Sequence, residues 1–269
     1  MYNILKRKLL VISTYIILIF IFIIFFNFGC KRNPSESPAF DLYKKAVTSY
    51  DSGIYSEALA LTEQAIKKDD KLAVAWTLRG ECLLKLGKTD EALKSFNKAI
   101  EIEPHDFIVL TAKGSLLDDT GKREEALKVF DDALSVKPDY APAWFYKARA
   151  LARLGKREDA IGAYKKAIEN NIDMVEVYTN LGILLIDTQR YDEAYSIYDE
   201  MMEKYPNIKG LALYCKASVS AMKGDKKLML EQMRECLKME PSYKDYIMTD
   251  NLFSKFWEDK DLINIATSK

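Results

Sequence analysis

Residues 73–106 have the sequence AVAWTLRGECLLKLGKTDEALKSFNKAIEIEPHD, in which two amphipathic segments flank a Gly-Lys pair. Trp76 and Leu83 lie on one face of the first segment if it is helical, and Gly87 interrupts that pattern. A second helical pattern begins around Ala92 and ends before a proline. Apolar residues at this spacing on both sides of a glycine predict a helix hairpin.

Small and large residues alternate along the predicted hairpin. Gly80, Ala92 and Ala99 are expected where the two antiparallel helices approach each other most closely, because a larger side chain there would push the helices apart. Trp76 and Phe96 are expected to fill the wider parts of the same interface. Each buried aromatic side chain contributes on the order of 150–250 Å² of contact area. One hairpin cannot cover its own apolar face, so the sequence predicts that neighbouring hairpins stack.

The same pattern returns every 34 residues. Three sets of aligned positions show it: Ala58, Ala92, Ala126, Ala160 and Ala194; Ala65, Ala99, Ala133, Ala167 and then Met201; Ala46, Gly80, Gly114, Ala148 and Gly182. A fixed period of this length predicts a repeat architecture.

The repeated residues resemble the pattern of the tetratricopeptide repeat (TPR) family. Residues 73–106 carry it as Trp76, Gly80, Ala92, Phe96, Ala99 and Pro104. Departures occur in other repeats, with Asp70 and Ile172 in place of the proline and Gln189 in place of the turn glycine. The resemblance implies an all-α fold, an α-solenoid of about six TPR helix hairpins over residues 39–243, the sixth being degenerate.

The tail, residues 244–269, is amphipathic and has an apolar stripe that includes Ile247, Phe253 and Leu262. A solenoid needs its last apolar face covered, so a C-terminal capping helix is predicted. An exposed aromatic docking motif is the alternative.

The N-terminus contains an uncharged apolar run, Leu9–Phe28, preceded by Lys6-Arg7-Lys8 and followed by Lys31-Arg32. Its 20 residues would extend about 30 Å as a helix, which matches the hydrocarbon core of a bilayer. Residues 1–30 are therefore predicted to be an apolar helix that acts as a signal peptide or a transmembrane anchor. Residues 31–38 are expected to form a linker.

Cys30 is the candidate lipidation site. Asn27-Phe28-Gly29-Cys30 resembles a lipobox, in which the cysteine becomes the lipidated first residue of the mature protein, although Asn27 stands where leucine is usual. The length of the apolar run favours an uncleaved single-span anchor instead, and cleavage with release is a third possibility. The basic residues favour an exported C-terminal domain by a narrow margin, so localisation on the exported face of an envelope membrane is predicted.

The sequence offers no catalytic, metal or cofactor site. The 40 basic and 40 acidic residues cancel, which argues against nucleic acid as a partner. His105 is the only histidine, no two cysteines have CxxC spacing, and Gly87-Lys88-Thr89 lacks the spacing of a P-loop. Asp118-Asp119 is interpreted as a solvated helix face, and a Cys215–Cys236 disulfide is left open.

The TPR resemblance implies that the first helix of each repeat lines a concave groove that binds proteins or peptides. Aligned positions predict these groove residues: Tyr43, Val47, Tyr50, Thr77, Glu81, Thr111, Ser115, Asp118, Phe145, Arg149, Arg153, Thr179, Asn180, Ile183 and Asp187. Tyr43 and Phe145 are expected to anchor a ligand, and the two arginines to take a carboxylate. The residues at the positions of a chaperone carboxylate clamp are Tyr43, Val47, Thr111 and Ser115, so no such clamp is predicted.

The sequence therefore favours a membrane- or lipid-anchored scaffold that mediates protein–protein interactions in envelope complex assembly. A cytoplasm-facing docking receptor for soluble clients is the alternative. An enzyme with a site in the groove is a third hypothesis, but no small-molecule substrate is evident from the residues.

Overall fold

The computed structural model describes residues 37–267, and all regular elements in that range are helical. The residues fall into two units with the boundary after Pro104. The first unit, residues 37–104, contains two helix hairpins. Its helices are α1 (Pro38–Asp51), α2 (Tyr55–Lys68), α3 (Ala73–Lys85) and α4 (Thr89–Ile102).

The second unit, residues 105–267, contains four further hairpins and the tail. Its hairpin helices are α5 (Phe107–Asp119), α6 (Arg123–Val136), α7 (Ala141–Arg153), α8 (Arg157–Glu169), α9 (Val175–Asp187), α10 (Tyr191–Lys204), α11 (Lys209–Lys223) and α12 (Lys226–Met239). Short 3-10 helices at Pro206–Ile208 and Pro241–Tyr243 precede α11 and the tail. The all-α fold and the six hairpins that the TPR resemblance implies are confirmed for the described residues.

Each hairpin turns at a residue in the left-handed backbone conformation. Gly87 has φ +75°, and its N–H donates to the Leu84 carbonyl at 3.0 Å. The next N–H, of Lys88, donates to the Leu83 carbonyl at 2.8 Å, which completes a Schellman motif and satisfies the last carbonyls of α3. Gln189 replaces the glycine in the fifth hairpin and takes the same conformation, with φ +60°.

Close helix approach explains the glycines inside the first helices. A Cβ at Gly80 would lie 2.6 Å from Phe96 Cε1, and a Cβ at Gly114 would lie 2.5 Å from Phe130 Cε1. Phe96 and Phe130 are completely buried. The aromatic ring of the second helix therefore occupies the space that a side chain on the first helix would need, as the sequence predicts for Gly80.

Two tryptophans make the same contact with the connection that precedes their own hairpin. Trp76 Nε1 donates to the Asp70 carbonyl at 2.8 Å, and Trp144 Nε1 donates to the Pro138 carbonyl at 2.8 Å. Each indole thus satisfies a carbonyl in the connection that precedes its own helix, while its ring stays half-buried.

The tail covers the last hairpin with three short helices, where the sequence predicted one capping helix. These are α13 (Lys244–Ile247), a 3-10 helix (Asn251–Phe256) and α14 (Lys260–Thr267). Ile247, Phe253 and Leu262 are buried in one cluster with side chains of α11 and α12. The apolar stripe is used as expected, but Asp250 and Asp259 start new helical turns and divide the segment.

The predicted N-terminal apolar helix, Cys30 and most of the predicted linker fall on residues 1–36, outside the described residues. Among residues 37–267, no helix is both long and apolar enough to cross a bilayer.

Candidate functional site

The predicted groove residues of the first unit form one patch. Tyr43, Val47 and Tyr50 on α1 are half-buried and pack against a cluster that includes Leu78 of α3. Burial raises the pKa of the Glu81 carboxyl, an effect that Lys85 partly offsets. The structure thus groups two phenol rings with a carboxylate whose charged form is disfavoured by its surroundings.

Glu81 also acts on its tyrosine neighbours. Burial raises the pKa of Tyr43 and of Tyr50, and the charge of Glu81 adds to both shifts. Thr77, on the same helix as Glu81, donates its hydroxyl to the Ala73 carbonyl at 3.2 Å. A ligand on this patch would therefore meet phenol groups and a carboxylate more readily than the threonine hydroxyl.

Phe145, predicted to anchor a ligand, is part of the core of the second unit. Its side chain is 4% exposed. The ring lies 5.2 Å from Tyr146 and 5.9 Å from Tyr164, measured between ring centroids. The interpretation of Phe145 as an anchor for a ligand is corrected, because its ring is buried. The position borders the groove, and a large apolar ring there gains more free energy by packing into the core than by facing water. Thr111, at the equivalent position of α5, is buried too.

Arg149 and Arg153 are held by a pair of aspartates one repeat earlier. Arg149 Nε donates to Asp118 Oδ2 at 3.0 Å, and Arg153 Nη1 donates to the same oxygen at 2.7 Å. Both guanidinium groups also reach Asp119 Oδ1, at 3.0 and 3.1 Å, and Arg149 donates to Ser115 Oγ at 3.2 Å. The arginines were expected to take a ligand carboxylate, but the chain's own carboxylates already occupy them.

Asp118 differs from its expected place on a solvated face. Its side chain has 0% exposure, and Arg123 Nε lies 3.5 Å from its second oxygen. Tyr164 lies close to this group, and burial raises its pKa to about 12 despite a hydrogen bond with Asn180 and the nearby arginines. Asp118 is therefore a buried carboxylate surrounded by arginines, which holds α5 to α7.

The predicted groove residues of α9 open onto a cavity. Thr179 and Ile183 line a cavity of about 860 Å³ within the second unit, and the Ile183 side chain is 47% exposed. The other walls come from α10, α11, the residue after α12, the two 3-10 helices at Pro206–Ile208 and Pro241–Tyr243, and the tail. They include Tyr198, Leu211, Tyr214, Cys215, Ser218, Glu240, Tyr243, Tyr246, Asp250 and Leu252. Cavities of this size commonly bind ligands.

Polar groups in the cavity wall are fixed by the fold. Tyr214 Oη donates to Asp250 Oδ2 at 2.8 Å, and its ring stacks on Tyr243 with 4.8 Å between centroids. Burial raises the pKa of the Cys215 thiol to about 12, so this cysteine stays protonated at neutral pH. Cys215 and Cys236, the pair left open above, are free thiols.

Among residues 37–267, no three histidine, cysteine or carboxylate side chains lie together as a metal site would require.

Comparison with protein families identifies the hairpins. Family profiles described as tetratricopeptide repeat match residues 73–106 and residues 111–175 and 147–207. The chain carries tetratricopeptide repeats. No curated protein matches the sequence significantly.

Several solved structures share the fold at low sequence identity. PilW, described as a widely conserved type IV pilus biogenesis factor, is 19% identical with a TM-score of 0.66, over 81% of this chain and 97% of PilW. PilF of Pseudomonas aeruginosa is 15% identical with a TM-score of 0.67, over 82% and 97% of the two chains. YrrB, described as a TPR protein with an unusual peptide-binding site, is 19% identical with a TM-score of 0.57, over 73% and 97%. These likenesses show the fold.

The TPR register contains a signal for the cavity residues that sequence analysis missed. The sixth repeat fits the pattern if one residue is inserted before it, since Gly224 falls 35 residues after Gln189. In that register Tyr214 falls 35 residues after Thr179, and Ser218 falls 35 residues after Ile183. Both line the cavity, so the groove alignment would have found them if extended into α11. Tyr246 belongs to the tail, which has no counterpart in the repeat pattern, and Tyr243 ends the 3-10 helix just before it.

Proposed function

We propose that the protein is a non-enzymatic TPR scaffold that holds a segment of a client protein in the cavity of its second unit. The observation that carries this proposal is the cavity itself. It is about 860 Å³ and open, and it lies where α9 presents the predicted groove residues Thr179 and Ile183. The walls combine apolar side chains with a few fixed polar groups, the composition expected of a binding site.

Site-directed photo-crosslinking in cells tests this function. A photoreactive amino acid at Ile183 would face the cavity, whereas the same residue at Glu203, exposed on α10 and outside the cavity wall, is the matched control. We expect an adduct with one defined protein from position 183 and none from position 203, with the client segment mapped by mass spectrometry. The same adducts from both positions, or none from position 183, would contradict the proposal.

We further propose that Cys30 is lipidated and tethers the repeats to a membrane on its exported face. The basic residues before Leu9–Phe28, the apolar run itself and the Gly29-Cys30 pair support this proposal. Labelled palmitate should enter the wild-type protein and be lost in Cys30→Ala. No label in either protein would favour an uncleaved anchor and would bring the docking-receptor hypothesis level with the scaffold.

The setting we propose for the client is an envelope assembly. The apolar N-terminal run, from which we propose the tether, and the fold shared with PilW, a type IV pilus biogenesis factor, support it. Protease added outside intact cells or spheroplasts should reach the repeats if they face outward. Complete protection until the membrane is broken would instead favour the cytoplasm-facing receptor.

A further inference from the structure

The cavity in the second unit has a charge of one sign. Glu240 and Asp250 contribute to its wall, and no lysine or arginine is among the described residues that line it. Both charged side chains that line the cavity are therefore acidic, in a chain with equal numbers of acidic and basic residues, and such a lining favours a cationic ligand.

Asp250 is fixed at the wall by two hydrogen bonds. Tyr214 donates its hydroxyl to Oδ2 at 2.8 Å, and the Leu252 N–H donates to Oδ1 at 3.0 Å. A carboxylate offers about four acceptor positions. Each oxygen therefore keeps capacity for a donor from a ligand, in a geometry that is already set.

Glu240 packs against a glycine, Gly210. A Cβ on Gly210 would lie 2.6 Å from Glu240 Cγ, so the stem of the glutamate packs directly on the glycine backbone of α11. This contact keeps the second carboxylate close to α11, at the wall of the same cavity.

Apolar surface lines the same cavity. Ile183 and Tyr246 have 47% and 58% exposed side chains, and both line the cavity together with Leu211 and Tyr243. The tyrosine ring faces can also attract a cation. An apolar side chain that entered here would remove water from these surfaces, while a neighbouring cation could meet the carboxylates.

We propose that the cavity binds a client segment in which an aromatic or branched apolar residue is flanked by lysine or arginine. This inference rests on the proposed function and adds the chemistry of the client. Glu240 and Asp250 accept from the basic side chains, and Ile183, Leu211 and Tyr246 contact the apolar one. The occupant is thus opposite in charge to a C-terminal carboxylate.

Synthetic nine-residue peptides test this chemistry by fluorescence anisotropy with the full chain in detergent. One probe has a central Phe flanked by Lys, a second has the Phe flanked by Glu, and a third has the Lys residues around a central Gly. We expect the first to bind about tenfold tighter than the other two at low salt, and this preference to shrink as salt is added.

Two substitutions test whether Asp250 and Glu240 cause the preference for the Lys-flanked Phe peptide. Asp250→Asn and Glu240→Gln should each weaken the Lys-flanked Phe peptide by roughly fivefold while leaving the Glu-flanked peptide unaffected or improved. Asparagine can still cap the 3-10 helix with its one carbonyl oxygen, while its amide nitrogen can donate to the Tyr214 hydroxyl. The control is Asp245→Asn, an exposed carboxylate on α13 outside the cavity wall, which should change nothing.

Equal binding of the Lys- and Glu-flanked Phe peptides, preference for Glu, no binding of any probe, or unchanged binding in both variants would overturn the inference. So would self-association of the chain lost in Ile183→Asp, which would make a second copy the occupant. The photo-crosslink at position 183 separates the two levels. If the crosslink forms but the peptides do not bind as expected, only the inference about the client's chemistry is wrong and the scaffold proposal stands. If the crosslink does not form, the scaffold proposal is wrong as well.

Discussion

Asp118 and Arg149 are 31 residues apart in sequence, and their side chains meet at 3.0 Å between Oδ2 and Nε. The carboxylate belongs to α5 and the guanidinium to α7, the first helices of two consecutive hairpins. Arg153 shares the same oxygen and Arg123 approaches the other. Because Asp118 is completely buried, its charge depends on these partners for the solvation that it loses on folding.

Removal of this carboxylate should destabilise the second unit. Asp118→Ala leaves partly buried guanidinium groups without their main acceptor, and we expect a loss of about 3 kcal/mol in the free energy of unfolding, measured by urea denaturation. Asp119→Ala is the matched control, since its side chain is half exposed and touches the same arginines, and it should cost less than about 1 kcal/mol. Equal losses from the two variants would contradict a special role for the buried carboxylate.

Gln189→Gly should stabilise the protein. Gln189 has φ +60°, where a Cβ is unfavourable, and the equivalent residue of other hairpins is a glycine at a similar angle. Glycine relieves this strain, which stabilises the folded chain, but it also gives the unfolded chain more backbone freedom, which offsets part of the gain. We expect the net free energy of unfolding to rise by roughly 0.5–1 kcal/mol, measured in a thermal or urea transition. The reverse change in the first unit, Gly87→Gln, should lower it. An unchanged or lower stability of Gln189→Gly would show that the turn carries no strain.

The sequence predicts the hairpins well because their period fixes backbone positions. Gly80 had to be small, and the ring of Phe96 does fill the space above it. The side chains at the groove border are harder to predict. The positions equivalent to 145 carry tyrosine in the first repeat (Tyr43) and threonine in three others (Thr77, Thr111 and Thr179), so alignment alone placed Phe145 in the groove. Packing against Tyr164 decided its direction, and that contact depends on the neighbouring helix.

The ion cluster shows a second limit. From the sequence, Asp118-Asp119 is interpreted as a solvated acidic pair. The period gives the positions of residues along each helix, but it does not say which charges on adjacent helices will meet. Arg153 lies 35 residues after Asp118, about one repeat away, which places the two on neighbouring first helices. That spacing allows the pair, but the burial of the carboxylate follows from how α5 and α7 pack.

Gly114→Ala tests the close approach of α5 and α6. The added methyl group would meet the ring of buried Phe130 at 2.5 Å, so we expect a loss of about 1–3 kcal/mol in unfolding free energy from forced repacking. Gly162→Ala on α8 is the control, because no atom lies near its Cβ position, and alanine there should stabilise by up to about 1 kcal/mol through helix propensity. Phe130→Leu combined with Gly114→Ala should recover part of the loss. If the two single alanine variants had the same effect, close packing would not be the reason for the glycine.

Glu81 should make stability in the first unit depend on pH in an unusual direction. Burial raises the pKa of its carboxyl above the ordinary value near 4.5, so the folded chain keeps the proton to a higher pH than the unfolded chain does. Above the folded pKa, the charged carboxylate opposes folding, and below about pH 4.5 both states hold the proton and this opposition disappears. Glu81→Gln, which cannot ionise, should therefore be more stable than wild type at pH 7. The advantage should shrink as the pH falls and vanish below the ordinary pKa, in urea unfolding measured at several pH values.

Glu57→Gln, at an exposed position of α2, serves as the control and should show no such trend. A Glu81→Gln variant that is less stable at pH 7, or whose difference from wild type does not change with pH, would mean that the carboxylate is stabilised where it lies. The patch with Tyr43 and Tyr50 would then lack the strained charge that a cationic ligand could relieve.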